Sequence, residues 1–455
     1  MFARRHRAAL LAALAIGAMF FVFAGDGLRA YFTPDDMMNL YVSWSAPAAD
    51  LLHNDRPVGA LVYRAMFAAF GLNPAPYRAV CFSLLLANLG LLFVFCRRIS
   101  GSREVAALAC LLGAYHAHLA DLYYSTGTIF DLLCCLFFFL AFNWYLRIRQ
   151  EGELSWKKSA GLLALYGCAL ASKEMAVMLP VFVVMYEWIF HRKEAARVLR
   201  MPFLLVAVPM TAVYGVWKVA GPHAMTANPA YAQHISLHAF LAASKWYLND
   251  LFYGAIAFST LKLVVLWTVL VVVAVIARRK DLWFGLCVLM LGVLPFIFIP
   301  PRGFFVMYLV LPGWYLFAAA ALVAVREALP ALAESIAVRP EALALFVAVM
   351  LLLLPLHHAE KPGGMAWVAG AHQQIRAVLG VVAERFPTMP HGTKVLFLSD
   401  PYDADDWILT SMLRLQYRDR DLRVDRVKAD PALLSKEAEY AHVFTLDEKG
   451  LQVVR

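Results

Sequence analysis

Eleven apolar runs, most of them close to the length that crosses a bilayer, recur between residues 8 and 357, most of them separated by short connections. They fall at 8–24, 79–96, 104–120, 128–146, 159–172, 175–190, 201–220, 254–277, 281–299, 303–325 and 341–357. A spanning helix needs about 20 apolar residues, and hydrocarbon admits only helices or closed barrels, because no water is present to satisfy the backbone. The pattern therefore predicts a polytopic α-helical membrane protein with about eleven transmembrane helices. Composition closes the alternatives. With 62% hydrophobic and 16% charged residues and a mean hydropathy of +0.65, a soluble fold of 455 residues could not cover its surface with polar groups. A soluble enzyme, a disordered scaffold and a fibrous repeat are excluded.

The charge of +9 is not a nucleic-acid footprint. From Lys361 onward 13 basic residues balance 13 acidic ones, and the excess lies before residue 361, in short clusters between the apolar runs. With the N-terminus inside, the inward connections 1–7, 97–103, 147–158, 191–200, 278–280 and 326–340 carry 3, 3, 4, 4, 3 and 2 Lys and Arg. The outward ones at 121–127, 173–174, 221–253 and 300–302 carry 0, 1, 1 and 1. This is the positive-inside bias, and it predicts an inner (plasma) membrane protein with a cytoplasmic N-terminus. Arg4-Arg5-His6-Arg7 followed by the run to Ala24, with no small-x-small site before Gly25, reads as an uncleaved signal anchor. All seven cysteines lie in apolar runs without a CxxC, which argues for buried small side chains and against disulfide or metal chemistry.

On this orientation two large pieces lie outside. One is the first outer loop, 25–78, whose alternating segments predict interfacial helices. The other is the region from 358 to 455, expected to form a small extracytoplasmic α/β domain beside the membrane domain of 1–357. Its pattern predicts a helix around 368–385, a strand at 394–398, a helix around 405–417 and strands near 422–428 and 440–446.

Ionisable residues gather at the outward boundary, where their cost marks them as functional candidates. Pro34-Asp35-Asp36 opens the first loop; adjacent acids repel, so the pair suits a cation or a proton transfer, or else a solvated turn capping a helix. Asp121 follows the third run and Asp131 opens the fourth. His116 and His118 nearby lack a third ligand and read as interfacial histidines rather than a zinc site. Ser172-Lys173-Glu174 interrupts two apolar runs, and Pro300-Pro301-Arg302-Gly303 holds an arginine at the water boundary, where it either snorkels or grips a phosphate. Carboxylates and cations together at that depth suit a lipid phosphate.

These residues resemble the GT-C superfamily of integral-membrane glycosyltransferases, foremost its protein O-mannosyltransferase-like and TPR-bearing transmembrane mannosyltransferase branches, with aminoarabinose transferases more distant. Asp35-Asp36 is similar to the acidic pair of that superfamily's first outer loop. Arg56-Pro57-Val58 through Phe70-Gly71-Leu72-Asn73-Pro74 and Tyr77 resembles its RP segment, with Arg78 where His is usual. Asp121 and Asp131 match the spacing of a second acidic pair, although Thr128-Ile129 stands where Gly-Arg normally precedes the latter. Ser172-Lys173-Glu174 and Pro180 look like its SKE segment. The likeness covers residues 20–190.

What the resemblance implies is an inverting transfer of a sugar from a polyprenyl-phosphate donor to a hydroxyl of a protein, glycan or lipid acceptor. Asp35 and Asp36 would be catalytic, with Asp35 the base. Lys173 and Arg302 would hold the donor phosphate, supported by Asp121, Glu174 and Arg56. A divalent metal on Asp36 and Asp121 would suit a diphosphate donor; a monophosphate does without one. The competing reading is a secondary transporter or lipid flippase, against which stands the lack of two related halves.

Overall fold

The computed structural model describes residues 2–51, 55–152, 155–194, 200–221, 224, 231–328, 340–447 and 450–455. Residues 52–54 of the first outer loop, which include His53 and Asn54, lie outside them. Among the described residues the chain is predominantly helical. The helices are α1 (Phe2–Ala24), α2 (Pro34–Ser45), α3 (Ala48–Leu51), α4 (Pro57–Phe70), α5 (Pro74–Ser100), α6 (Arg103–Gly113), α7 (Ala120–Tyr124), α8 (Ile129–Glu151) and α9 (Trp156–Leu170). They continue with α10 (Leu179–Phe190), α11 (Pro202–Ala220), α12 (Leu237–Leu251), α13 (Thr260–Ala277), α14 (Lys280–Leu291), α15 (Leu311–Ala328), α16 (Pro340–Arg385) and α17 (Ile408–Tyr417).

Among the described residues six segments are long and apolar enough to cross a membrane: Ala9–Arg29, Pro74–Ser100, Ile129–Glu151, Pro202–Ala220, Thr260–Ala277 and Pro340–Arg385. A seventh is available if Arg103–Gly113 and Ala117–Tyr124, bent by 67°, count as one broken span. Eleven apolar runs are thus not eleven long helices. The runs at 159–172, 175–190 and 281–299 hold helices of 15, 12 and 12 residues. Twelve residues rise only about 18 Å, short of a hydrocarbon core of about 30 Å. The run at 303–325 opens as a 3-10 turn, Phe304–Leu309, before the 18 residues of α15. Hydropathy measures how apolar a run is, not whether its helix is continuous. The same reason joins the last apolar run to the helix expected at 368–385. They are one helix of 46 residues, α16, which carries Pro355 and Pro362 in its interior.

The chain divides into two compact units. One comprises Met1–Asp26, Ser83–Ala120 and Phe130–Gly364; the other Gly27–Phe82, Asp121–Ile129 and Met365–Arg455. The second unit thereby gathers the first long loop, the connection after the third run and the C-terminal region, all assigned to one side by the charge count.

The C-terminal region carries a four-stranded sheet in the order β2-β1-β3-β4, with β1 at Lys394–Ser399, β2 at Arg423–Arg426, β3 at His442–Asp447 and β4 at Gly450–Val453. β1 runs parallel to both neighbours and β3–β4 is an antiparallel pair. Val395, Leu396 and Phe397 are all fully buried, as a strand covered on both faces requires. Arg426 is locked to both oxygens of Asp400 at 2.5 and 2.9 Å, which ties β2 to the end of β1.

Candidate functional site

The acidic pair belongs to the first turn of α2. Thr33 caps this helix, its side chain accepting from the Asp36 backbone N–H while the Asp36 carboxylate takes the Thr33 N–H at 2.8 Å, a capping box with Pro34 at the first position. Two carboxylates there also complement the positive end of the helix dipole. The Thr33-x-x-Asp36 pattern is a sequence-level signal for this cap, one that a reading confined to the two acids overlooks.

The two aspartates are not equivalent. Asp36 is fully buried, and beyond the cap it accepts from the Ser125 hydroxyl at 2.8 Å and from the Gly127 N–H. Three donors therefore occupy its oxygens, two of them from the 121–129 connection. Asp35, its neighbour, is exposed. Gly127 must be small here: a Cβ would meet Asp36 Oδ1 and Ser125 Oγ at 3.2 Å and the Cβ of Asp35 at 3.3 Å. With three donors on its two oxygens, Asp36 serves here as the acceptor that holds the turn. Among the described residues the one group of metal-capable side chains close enough to share an ion is His391, Asp419 and Asp421 in the C-terminal region.

Arg78, conspicuous in the sequence only as a departure from the family pattern, is completely buried. It donates to the Gly27 carbonyl at 3.1 Å, to the Thr126 hydroxyl at 3.3 Å and to the Tyr123 carbonyl, tying the start of the first loop to the second. Gly27 is equally constrained, since a Cβ would run into the Tyr123 carbonyl. Each buried acceptor left unpaired costs about 1–3 kcal/mol. Arg78→Met should therefore lower stability by about 3 kcal/mol or more, visible as early thermal unfolding in detergent; a midpoint within a degree or two of the parent would contradict the clamp. Thr128, standing where the family pattern differs, closes the same connection by donating to the Asp121 carbonyl at 3.2 Å. Asp121 is half-buried and its carbonyl also accepts from Ser125 N at 3.0 Å.

α16 completes this cluster. His372 donates to the Tyr124 carbonyl at 2.9 Å, and one turn on, the Arg376 guanidinium lies 4.9 Å from the centre of the Tyr31 ring. Burial raises the Tyr31 phenol above its ordinary range, with Arg376 pulling the other way, so Tyr31 is a neutral hydroxyl at pH 7. Arg376 pairs with no carboxylate among the described residues. Arg56 stands half-buried at the N-cap of α4, whose first helical residue is Pro57.

The other predicted residues lie in the first unit. Lys173 donates to both oxygens of Asp131 at 2.6 and 2.7 Å, both groups being buried, and lies 5.0 Å from the Phe305 ring centre. Asp131, expected to be the partner of Asp121, is thus the counter-ion of Lys173. Glu174 begins the 3-10 turn Glu174–Met178 and is half-buried. The backbone N–H of Arg302 donates to Tyr247 at 3.1 Å, and its guanidinium stacks 4.6 Å from the centre of Tyr231. His116, expected at the interface, is buried, with its Nε2 3.1 Å from the Leu251 carbonyl and its ring stacked on Tyr253 at 4.3 Å.

The architecture is that of a polytopic α-helical membrane protein with a GT-C fold and a small C-terminal sheet. Among solved structures, the chain is similar to ArnT from Cupriavidus metallidurans, a GT-C glycosyltransferase, in its apo state. The TM-score is 0.56 at 15% identity, over 97% of this chain and 94% of that one. It is also similar to the same protein bound to undecaprenyl phosphate, with a TM-score of 0.52 at 14% identity, over 98% and 97% of the two chains. No protein-family model and no curated protein matches the chain. At this identity the likeness is one of fold, and it does not carry the mannosyltransferase branch that the sequence motifs brought forward.

Proposed function

We propose that this protein is a glycosyltransferase that moves a sugar from a polyprenyl-phosphate carrier to an acceptor hydroxyl at the extracytoplasmic face of the plasma membrane. The observation that supports this reading most is the asymmetry of the acidic pair. One carboxylate is buried and holds the turn, and the other is exposed on a helix N-terminus braced from the 121–129 connection. The fold agrees, and one neighbour of this fold was solved with undecaprenyl phosphate.

In the reaction, Asp35 accepts the acceptor's hydroxyl proton as that oxygen attacks the anomeric carbon. The bond from the anomeric carbon to the phosphate oxygen breaks, its electron pair leaves with the polyprenyl phosphate, and the configuration inverts. The leaving group is already ionised at neutral pH, so it needs charge compensation rather than a proton. Arg302, stacked on tyrosine and without a carboxylate partner among the described residues, supplies it. Lys173 contributes its third N–H, the two others being directed at Asp131. Asp36, Asp121 and Arg56 are the supporting groups in the unit of Asp35, and Glu174 in the unit of Lys173 and Arg302; no step passes through a metal.

The test is reconstitution in proteoliposomes with a labelled polyprenyl-phosphate sugar and an extract of candidate acceptors. Covalent label on an acceptor, with release of free polyprenyl phosphate, is the expected result. Label that crosses the bilayer without forming a covalent product would instead identify a transporter or flippase. A separate expectation concerns Arg376: Arg376→Gln should raise the KM for the anionic substrate about tenfold, the loss of one charge-assisted contact, with unchanged thermal stability. An unaltered KM removes Arg376 from substrate binding.

A further inference from the structure

The C-terminal sheet region grips α2 at the end remote from the acids. Arg414, in the last turn of α17, donates to the Tyr41 hydroxyl at 2.5 Å and to the Leu422 carbonyl at 2.8 Å. Arg420 donates to the Trp44 carbonyl at 2.7 Å and lies 5.1 Å from the centre of the Trp44 ring. The Trp407 ring sits 5.8 Å from that of Tyr41, and Arg418 stacks 5.2 Å from Phe67 on α4. All these residues belong to one compact unit. A single arginine on an aromatic ring would be unremarkable on a protein surface. Here two converge on Tyr41 and Trp44, on the short helix whose first turn carries Asp35.

A helix transmits position along its axis. Tyr41 is six residues from Asp35, about 9 Å along α2. At the N-terminal end Asp36 is pinned by Ser125 and Gly127; at the other, Tyr41 and Trp44 are pinned by Arg414 and Arg420. Without the second anchor α2 keeps its N-terminal pins and its packing along α4, and the direction in which Asp35 points is less determined. Catalytic geometry is sensitive to such freedom, because misplacement by about 1 Å can cost about 100-fold in rate.

We infer that the C-terminal region is a positioning device for the exposed aspartate: Arg414 and Arg420 act through α2 to hold Asp35 in its reactive place. Neither arginine is a catalytic residue. The inference rests on the transferase reading for its kinetic part and on geometry alone for its mechanical part.

The experiment uses the full-length chain in lipid nanodiscs and the double variant Tyr41→Phe with Arg420→Gln, which removes one hydroxyl and one guanidinium and leaves Arg414 in place to support its own domain. Hydrogen exchange of residues 34–45 should speed about fivefold to thirtyfold, the range one or two lost contacts produce, while residues 394–399 stay protected. The kcat for transfer should fall about tenfold with the donor KM within about twofold of the parent. Unchanged exchange at 34–45 overturns the inference, as does faster exchange with unchanged kcat. Loss of protection at 394–399 as well overturns it too, since the contacts would then serve only to keep the sheet folded. The exchange measurement needs no activity, so it distinguishes failure of the clasp from failure of the transferase reading.

Discussion

Asp35→Asn should abolish sugar transfer while leaving the protein folded and inserted. The amide has nearly the shape of the carboxylate but cannot accept the proton, so the rate should fall by about 100-fold to 10,000-fold, the contribution of a general base. The fold is spared for a stated reason. The neighbouring contact, from Asn39 Nδ2 to the Asp35 carbonyl at 2.8 Å, is made by the backbone and survives the substitution. Losing one exposed charge from the first turn of a helix costs at most about 1 kcal/mol. Asp36→Asn provides the contrast. Its amide keeps one oxygen and turns an NH2 group either toward Thr33 or toward Ser125 and Gly127, so at least one buried N–H loses its acceptor at about 1–3 kcal/mol. Asp36→Asn should therefore lower the unfolding temperature, and Asp35→Asn should not. Turnover at more than a tenth of the parent rate in Asp35→Asn would remove that residue from the role of base.

The second large effect concerns the buried ion pair. Lys173→Met leaves the Asp131 carboxylate without its counter-ion at a site only a few per cent exposed, and such a break costs about 3–5 kcal/mol. Asp131→Leu, which strands the ammonium, should cost a similar amount. Replacing both partners removes both charges, so Lys173→Met with Asp131→Leu should recover most of the loss, because a buried pair contributes little net stability over apolar residues of similar size. Thermal unfolding of the three variants in the same detergent is the measurement. Additive losses in the double variant would mean that the two charges do not compensate one another. The recovered double variant then becomes the tool for function. If Lys173 also holds the donor phosphate, it should fold well and yet show a raised donor KM. A normal KM would leave Lys173 a structural residue.

The acidic pair, Lys173, Arg302 and Arg56 stand out in the sequence because charge beside a long apolar run is costly and therefore informative. What each one does was far less legible. Asp35 and Asp36 are neighbours with the same side chain; the Thr33-x-x-Asp36 spacing marks Asp36 as the capping residue, but its burial comes from Ser125 and Gly127, 89 and 91 residues away. Asp131 matched a family spacing to Asp121, yet its partner is Lys173, 42 residues on. Arg78 looked like a departure from a motif and is a buried clamp whose acceptors lie 45 to 51 residues from it.

Burial in lipid is a property of composition, so the sequence by itself determined the membrane class, the apolar runs, the charge asymmetry and three of the four strands of the C-terminal sheet, β4 at Gly450–Val453 being the one it missed. The continuity of each helix, the pairing of Lys173 with Asp131 and the anchoring of α2 to Arg414 and Arg420, more than 370 residues away, were decided only by the tertiary structure. A hydrogen bond between distant segments depends on where the chain brings its donors and acceptors, and no local pattern of residue types records that position.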